Sequence, residues 1–173
     1  MLRLTLSLLI GGVAISGSPA IAMDTKCILS KYQSVATAQE HWQRAVTAQI
    51  VSASPKLKDV ANQYLSDQLL TIEMNRIAVE SLLKTSPEKL RLDAPVPQWL
   101  ALSAGDKGAI SRNNQRYAEL LRQFDASAKK QPHPNGDELR TLMRERIAKS
   151  PEFQAQLTKL NEAIAGANSR VCR

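Results

Sequence analysis

The fold of this chain is decided by residues 57–83, which read LKDVANQYLSDQLLTIEMNRIAVESLL. The stretch contains neither glycine nor proline. Its apolar residues recur at spacings of three and four, which is the period of an α-helix. Because these residues cover a wide arc, the helix can face more than one neighbour at once. The pattern therefore predicts an inner helix of a helical bundle.

The composition of the whole chain favours the same fold class. A chain of 173 residues is long enough for one domain with a substantial core and short for two. It has only 7 glycines and 8 prolines, and alanine, leucine, glutamine, glutamate, lysine and arginine are plentiful. These residue types favour helix throughout. We therefore predict an all-α fold.

Residues 1–22 have the features of a secretory signal peptide. Arg3 precedes an apolar run over residues 4–15, and a small-x-small cleavage site ends at Ala22. The run is too short and too interrupted by glycine and serine for a membrane span. We expect cleavage after Ala22, one domain over residues 23–173, no membrane span, and a periplasmic or secreted location.

The two cysteines, Cys27 and Cys172, lie at opposite ends of the expected mature chain. In an oxidising compartment such a pair predicts a single disulfide. Bridged Cα atoms lie within about 7 Å of each other. The start of the first helix and the end of the last must then meet, which requires an even number of long helices if neighbours are antiparallel.

Caps and breakers divide the mature chain into four long and two short predicted helices. The long helices are placed at about 25–51, 57–84, 103–129 and from 150 onward, and the short ones at 86–92 and 137–149. Ser103 and Asp106 resemble a capping box. Trp99 is expected to pin the proline-containing connector at 93–97 to the core. We predict an antiparallel bundle of four long helices with two short connecting helices, its termini linked by a disulfide.

Several polar side chains fall within apolar arcs when the helices are drawn at about 100° per residue. They are Gln39, Gln43, Gln68, Asn75, Asn113 and Arg146. A buried polar group without a hydrogen bond destabilises a fold by about 1–3 kcal/mol. One interpretation is a set of interhelical hydrogen bonds that fix the register, or helical faces that are more exposed than the wheel implies. The other is an amide-lined groove for a ligand or peptide, in which Arg146 or Arg76 holds an anionic group.

The sequence carries no recognisable catalytic or metal-binding motif. His41 and His133 have no second ligand at metal-binding spacing. Neither Gly-x-Ser-x-Gly nor Cys-x-x-Cys-His is present. No carboxylate falls clearly within an apolar arc, which gives little support to acid–base chemistry. We expect no cofactor and no metal, and we favour a protein that is not an enzyme.

The net charge of +7 is consistent with solubility alone, and it also suggests anionic partners. The basic residues concentrate in residues 107–149. Export argues against nucleic acid, and the few aromatic residues are too scattered for a stacking platform. We expect the partner to be another protein or an anionic component of the cell envelope, and the sequence leaves the oligomeric state open.

Residues 100–106, LALSAGD, resemble the Leu-Thr-x-x-Gln helix start of Spy-type periplasmic chaperones. Those proteins are basic, exported and all-helical, and they bind unfolded proteins. Ser103 stands for the threonine and Asp106 for the glutamine. Since the likeness is confined to a helix cap, we assign no family from it.

Three functional hypotheses follow. The first is a non-enzymatic periplasmic protein that binds a protein partner, as a chaperone, an inhibitor or an immunity factor. The second is a small-molecule carrier or an enzyme that uses an amide-lined interior. The third is a structural subunit of an envelope complex.

Overall fold

A computed structural model describes residues 24–172 of the chain, and the predicted signal peptide at 1–22 lies outside them. The described residues are 82% helical and contain no strand, which confirms the all-α prediction. They form six α-helices: α1 Thr25–Ala53, α2 Lys58–Thr85, α3 Ala104–Asn113, α4 Gln115–Ala128, α5 Gly136–Glu145 and α6 Pro151–Ser169. Within residues 24–172, no helix combines the length and apolarity that crossing a membrane requires.

Helix α1 packs against α2 and against α6, and α2 packs also against α4. The disulfide prediction is confirmed: Cys27 in α1 is bonded to Cys172 just after α6, with their Cα atoms 5.6 Å apart. Trp42 of α1 meets Phe153 in the first turn of α6, with ring centroids 4.8 Å apart. Helices α1 and α6 are therefore antiparallel.

The predicted arrangement of four long antiparallel helices is not confirmed. Only α1, α2 and α6 have 19 residues or more. The predicted helix at 103–129 is interrupted at Asn114, whose backbone is extended (φ −141°, ψ 102°). The Asn114 side chain accepts the N–H of Tyr117 at 2.9 Å and so caps α4. Asparagine competes with the helical backbone for hydrogen bonds, and this makes it a good cap and a poor interior residue.

The predicted short helices at 86–92 and 137–149 are both shorter in the structure. The first is a single 3-10 turn, Pro87–Lys89, after which Leu90 is extended (φ −90°, ψ 131°). The N–H of Arg91 then donates to the carbonyl of Trp99 at 3.0 Å and closes a loop, because prolines in the connector prevent a helix.

The second of these short helices is α5, which ends at Glu145. The backbone of Arg146 leaves the helical region (φ −126°, ψ −60°), and a 3-10 turn follows at Ile147–Lys149. This change of direction accompanies the burial of Ile147, which is 5% exposed. Helix α5 therefore has only ten residues, and it packs against α2 over a small area.

Buried side chains form two apolar clusters along the α1–α2 pair. The first cluster lies toward the disulfide and includes Tyr32, Val79, Trp99 and Tyr117. The second cluster lies at the α1–α2 turn and consists of Val46, Ile50, Leu57, Val60, Ala61, Leu139 and Ile147. Helix α5 contributes only Leu139 to the buried part of the second cluster, so this cluster is incompletely covered.

The predicted capping box at the start of α3 is confirmed. The Ser103 hydroxyl accepts the N–H of Asp106 at 3.1 Å, and the Asp106 carboxylate accepts the N–H of Ser103 at 3.1 Å. Lys89 of the connector forms an ion pair with the same carboxylate. The hydrogen bonds from Lys89 and Ser103 lower the pKa of Asp106 from 3.8 to about 2. The cap therefore joins α3 to the connector.

We expect Asp106→Asn to destabilise the protein at neutral pH and to have little effect near pH 2. Because the folded state lowers the pKa of this carboxyl, its stabilising effect is complete above about pH 4 and disappears as the pH falls through about 2. Urea denaturation at both pH values measures the difference. Asp93→Asn, which removes one negative charge at an exposed position of the connector, is the control for the change in net charge. A difference that persists at pH 2 would contradict the prediction.

Candidate functional site

An open groove of about 790 Å³ lies between α1, α2 and α5, over the second cluster. Helix α1 contributes positions 43, 46, 47 and 50, and α2 contributes positions 61, 64, 65 and 68. Both sets follow the spacing i, i+3, i+4, i+7, which places each set on one helical face. Two antiparallel helices thus present matching faces to the groove.

The floor of the groove is apolar and the walls are partly exposed. Val46, Ile50 and Ala61 form the floor and are buried. Tyr64 and Met143 stand at the sides, and Tyr64 is 47% exposed. This exposed fraction is large for an aromatic side chain that belongs to a core-facing arc. The groove remains open because the short α5 does not cover the full width of both faces.

Two of the predicted amides meet in this groove. Gln43 and Gln68 both line it, at the same end, because α1 and α2 are antiparallel. Gln43 is half-buried and Gln68 is exposed. The hydroxyl of Thr47, between them and the floor, donates to the carbonyl of Gln43 at 2.9 Å. One end of the groove therefore offers two amides beside its apolar floor.

The other predicted amides do not lie beside Gln43 and Gln68 in the groove. Gln39 and Asn75 are half-buried on α1 and α2 and do not line the groove. Asn113 is exposed at the end of α3, where its side-chain amide donates to the carbonyl of Ala109 at 3.0 Å. The structure thus divides the predicted amide set and brings only Gln43 and Gln68 together.

The two arginines considered as anion ligands lie elsewhere. Arg146 is exposed and lines a separate cavity of about 540 Å³ together with Gln49. Arg76 bridges α2 to α1 through Glu40 at 3.0 Å and also pairs with Glu73 at 3.3 Å. Both carboxylates contact the same terminal nitrogen of the Arg76 guanidinium, and Arg76 does not line the groove.

The charged residues that line the groove are Arg140 and Arg144, both on α5. Among the described residues, no carboxylate lines it. Arg140 forms an ion pair with Asp137, and the Nε of Arg144 donates to Glu145 at 2.7 Å. The rim of the groove on the α5 side is therefore basic.

A smaller cavity of about 220 Å³ adjoins the groove. Tyr64 and Arg140 line both, so the two cavities lie side by side along α2, and Asp67 and Asp137 line the smaller one. The α4–α5 loop adds Lys130 and His133 to the smaller cavity. The Nδ1 atom of His133 accepts the N–H of Asn135 at 3.1 Å, which holds the ring against its own loop.

Ionisable groups elsewhere do not indicate a reactive centre. Burial raises the pKa of Tyr32 to about 12 and also raises that of Tyr117, and both tyrosines belong to the first cluster. Within residues 24–172, no group of three or more His, Cys, Asp or Glu side chains is placed to hold a metal ion.

Sequence reasoning missed the apolar walls of the groove and its basic rim. Tyr64 and Leu65 were assigned to the core, because periodicity cannot tell a covered apolar face from an open one. Arg140 and Arg144 were noted only as part of a basic stretch. The sequence does carry a usable signal, because the apolar arc of residues 57–83 is much longer than either predicted short helix.

No protein-family model matches this chain, and no curated protein or solved structure is significantly similar to it. Its function must therefore be inferred from the groove itself. The observations that bear on it are an apolar floor, two amides at one end and two arginines along one side.

Proposed function

We propose that this chain is an exported, non-enzymatic protein that binds a protein partner in the groove between α1, α2 and α5. The observation that carries the proposal is the open apolar groove itself. The half-buried and exposed apolar side chains that line this groove would leave water when a partner covers them, which favours binding. The exposed Tyr64 at its side is of the residue type that most often anchors an interface.

The dimensions of the groove suit a helical segment. From Gln43 to Ile50 the lining of α1 extends over about 10 Å, at about 1.5 Å per residue. This length corresponds to about two helical turns. An amphipathic helix laid in a groove uses anchors at i, i+3, i+4 and i+7. The matching spacing of the lining residues on α1 and α2 supports this binding mode.

A small-molecule carrier or an enzyme fits the groove less well. Small-molecule sites enclose about 70–90% of the ligand surface. This groove is open along one side, and the amides predicted to line an enclosed interior are dispersed over α1, α2 and α3. A protein segment, which keeps its own outer face in water, is the better occupant.

Export and a single domain over residues 23–173 are part of the proposal. The sequence pattern of residues 1–22 supports export, and so does the Cys27–Cys172 disulfide, because such bonds persist in oxidising compartments. We further propose that α3 and α4 act together as the fourth arm of an antiparallel bundle. The bond from Ser127 at the end of α4 to Asp67 in the first half of α2, at 2.7 Å, supports that direction.

Site-specific photo-crosslinking tests the proposal in cells. A photoreactive phenylalanine analogue is placed at Gln68 in the groove and, as a control, at Asn161, which is exposed on α6. We expect an adduct with one protein, identified by mass spectrometry, from position 68 and not from position 161. That protein is then purified and its affinity for the chain is measured by calorimetry.

A matched pair of charge insertions completes the test. Leu65→Glu places a carboxylate in the wall of the groove, and Leu160→Glu makes the same change at a half-buried leucine of α6. We expect Leu65→Glu to weaken binding of the identified protein by at least about tenfold, because a charge must be desolvated against apolar surface. Equal weakening by both variants, or no adduct from the groove, would overturn the proposal.

A further inference from the structure

The basic rim of the groove restricts the chemistry of its partner. Arg140 and Arg144 are the charged lining residues of the groove, and they are separated by four positions on α5. Residues at this spacing lie on the same face of a helix, one turn apart. Their guanidinium groups can therefore hold two carboxylates that are themselves about one helical turn apart, each through paired N–H donors.

Both arginines can exchange their present partners. The side chain of Arg140 is 68% exposed and that of its partner Asp137 is 88% exposed. For Arg144 and Glu145 the exposed fractions are 72% and 50%. Ion pairs this exposed contribute little to stability. A binding partner whose carboxylates lie on a surface that excludes water can therefore take the place of Asp137 and Glu145.

We propose that the partner segment is an acidic amphipathic helix whose carboxylates, three or four residues apart, pair with Arg140 and Arg144. The inference deepens the function proposed above and rests on it. The apolar face of such a helix contacts the accessible side chains of Tyr64, Leu65 and Met143 above the buried floor, and its polar edge meets Gln43 and Gln68 at the amide end. The surface of the groove thus complements the helix in both polarity and charge.

A second copy of this chain does not supply such a helix. Nowhere in the sequence are two Asp or Glu residues separated by three or four positions. The apolar segment at 4–15 is no better as an occupant, since Arg3 is the only charged residue before it. Charge complementarity therefore favours a different protein over self-association or occupation by the chain's own first residues.

The test uses the purified oxidised protein and three stapled helical peptides of equal length and equal apolar pattern. The peptides carry Glu, Gln or Lys at two flanking positions four residues apart. Fluorescence anisotropy measures their affinities at low and at physiological ionic strength. We expect the Glu peptide to bind about tenfold more tightly than the Gln peptide at low salt, and this preference to shrink as salt is added.

Two charge-reversal variants show whether the rim is responsible. Arg140→Glu/Arg144→Glu should reverse the preference, so that the Lys peptide binds most tightly. Arg112→Glu/Arg116→Glu makes the same change in net charge at two exposed arginines of α3 and α4 and should leave the preference for Glu unchanged. Circular dichroism confirms that both variants are folded. If the control also reversed the preference, the inference would fail, because overall charge alone would then explain it.

The remaining outcomes separate this inference from the proposed function. If the cross-linked protein competes with all three peptides but Glu and Gln peptides bind equally, the partner is not acidic and only the inference falls. If no peptide binds and no groove adduct forms, both fall. Vesicles of phosphatidylcholine with phosphatidylglycerol test lipid as the alternative ligand. If they displace the Glu peptide only when Arg140 and Arg144 are present, the rim binds lipid and the inference falls. A dimer that forms through the groove at the concentrations used would likewise overturn the inference.

Discussion

Replacing Cys27 and Cys172 by serine is expected to lower the free energy of unfolding by about 5 kcal/mol, the largest effect of any change considered for this chain. The bond closes a loop with a sequence separation of 145 residues, which is nearly the whole described chain. Cross-linking so long a loop removes much of the conformational entropy of the unfolded state. Without the bond, only side-chain contacts hold the end of α6 against the start of α1.

Urea denaturation followed by circular dichroism measures this effect. Either single substitution should be as destabilising as the pair, because each one alone removes the bond. Reducing the wild-type protein should reproduce the loss, whereas the double variant should be insensitive to reductant. Two titratable thiols in the protein as isolated, or equal stability with and without reductant, would contradict the prediction.

Trp99→Ala is expected to be the most destabilising single substitution in the core, at about 4 kcal/mol. Trp99 is 2% exposed and stacks on Tyr32 with ring centroids 6.0 Å apart. Its indole N–H donates to the carbonyl of Ala94 at 2.9 Å, and Lys31 lies 5.8 Å from the ring centroid. Trp99 thus holds the connector between α2 and α3 against the first cluster. This connector has no long helix of its own.

Trp42 provides the matched control for this substitution. It is the other tryptophan of the chain, half-buried against Phe153 beside the second cluster. Trp42→Ala should lower the free energy of unfolding by clearly less than Trp99→Ala does, because the Trp42 side chain already contacts solvent and holds no connector in place. Trp99→Phe keeps a ring against Tyr32 but loses the indole N–H. Its unfolding free energy should therefore lie between those of Trp99→Ala and Trp42→Ala. Equal unfolding free energies for Trp99→Ala and Trp42→Ala would show that the connector does not depend on Trp99.

Much of the fold could be predicted because it depends on interactions between residues close in sequence. The bounds of α1 and α2 follow from breakers such as Pro55 and Pro87 and from helical periodicity. The cap at Ser103 depends on a residue three positions away. The disulfide needed no geometry at all, since Cys27 and Cys172 have no other cysteine to choose.

The interruption of the helix at Asn114 is a feature that interactions between residues close in sequence do not predict. An asparagine within an apolar helical pattern fits both an uninterrupted helix and a cap. The structure has the cap, which begins α4 and accompanies complete burial of Tyr117 three residues later, at 0% exposure. Burial of the Tyr117 ring favours this arrangement, and it leaves the Tyr117 hydroxyl buried without a hydrogen-bond partner among the described residues.

The groove depended even more on the tertiary structure. Local pattern established that 57–83 is an amphipathic helix and that its apolar arc must be covered, because periodicity is a property of neighbouring residues. Which part of that arc a neighbour covers depends on the path of α5, which turns away after ten residues at Arg146. The open face beside Tyr64, and the arginines along its edge, therefore exist only once the helices have packed.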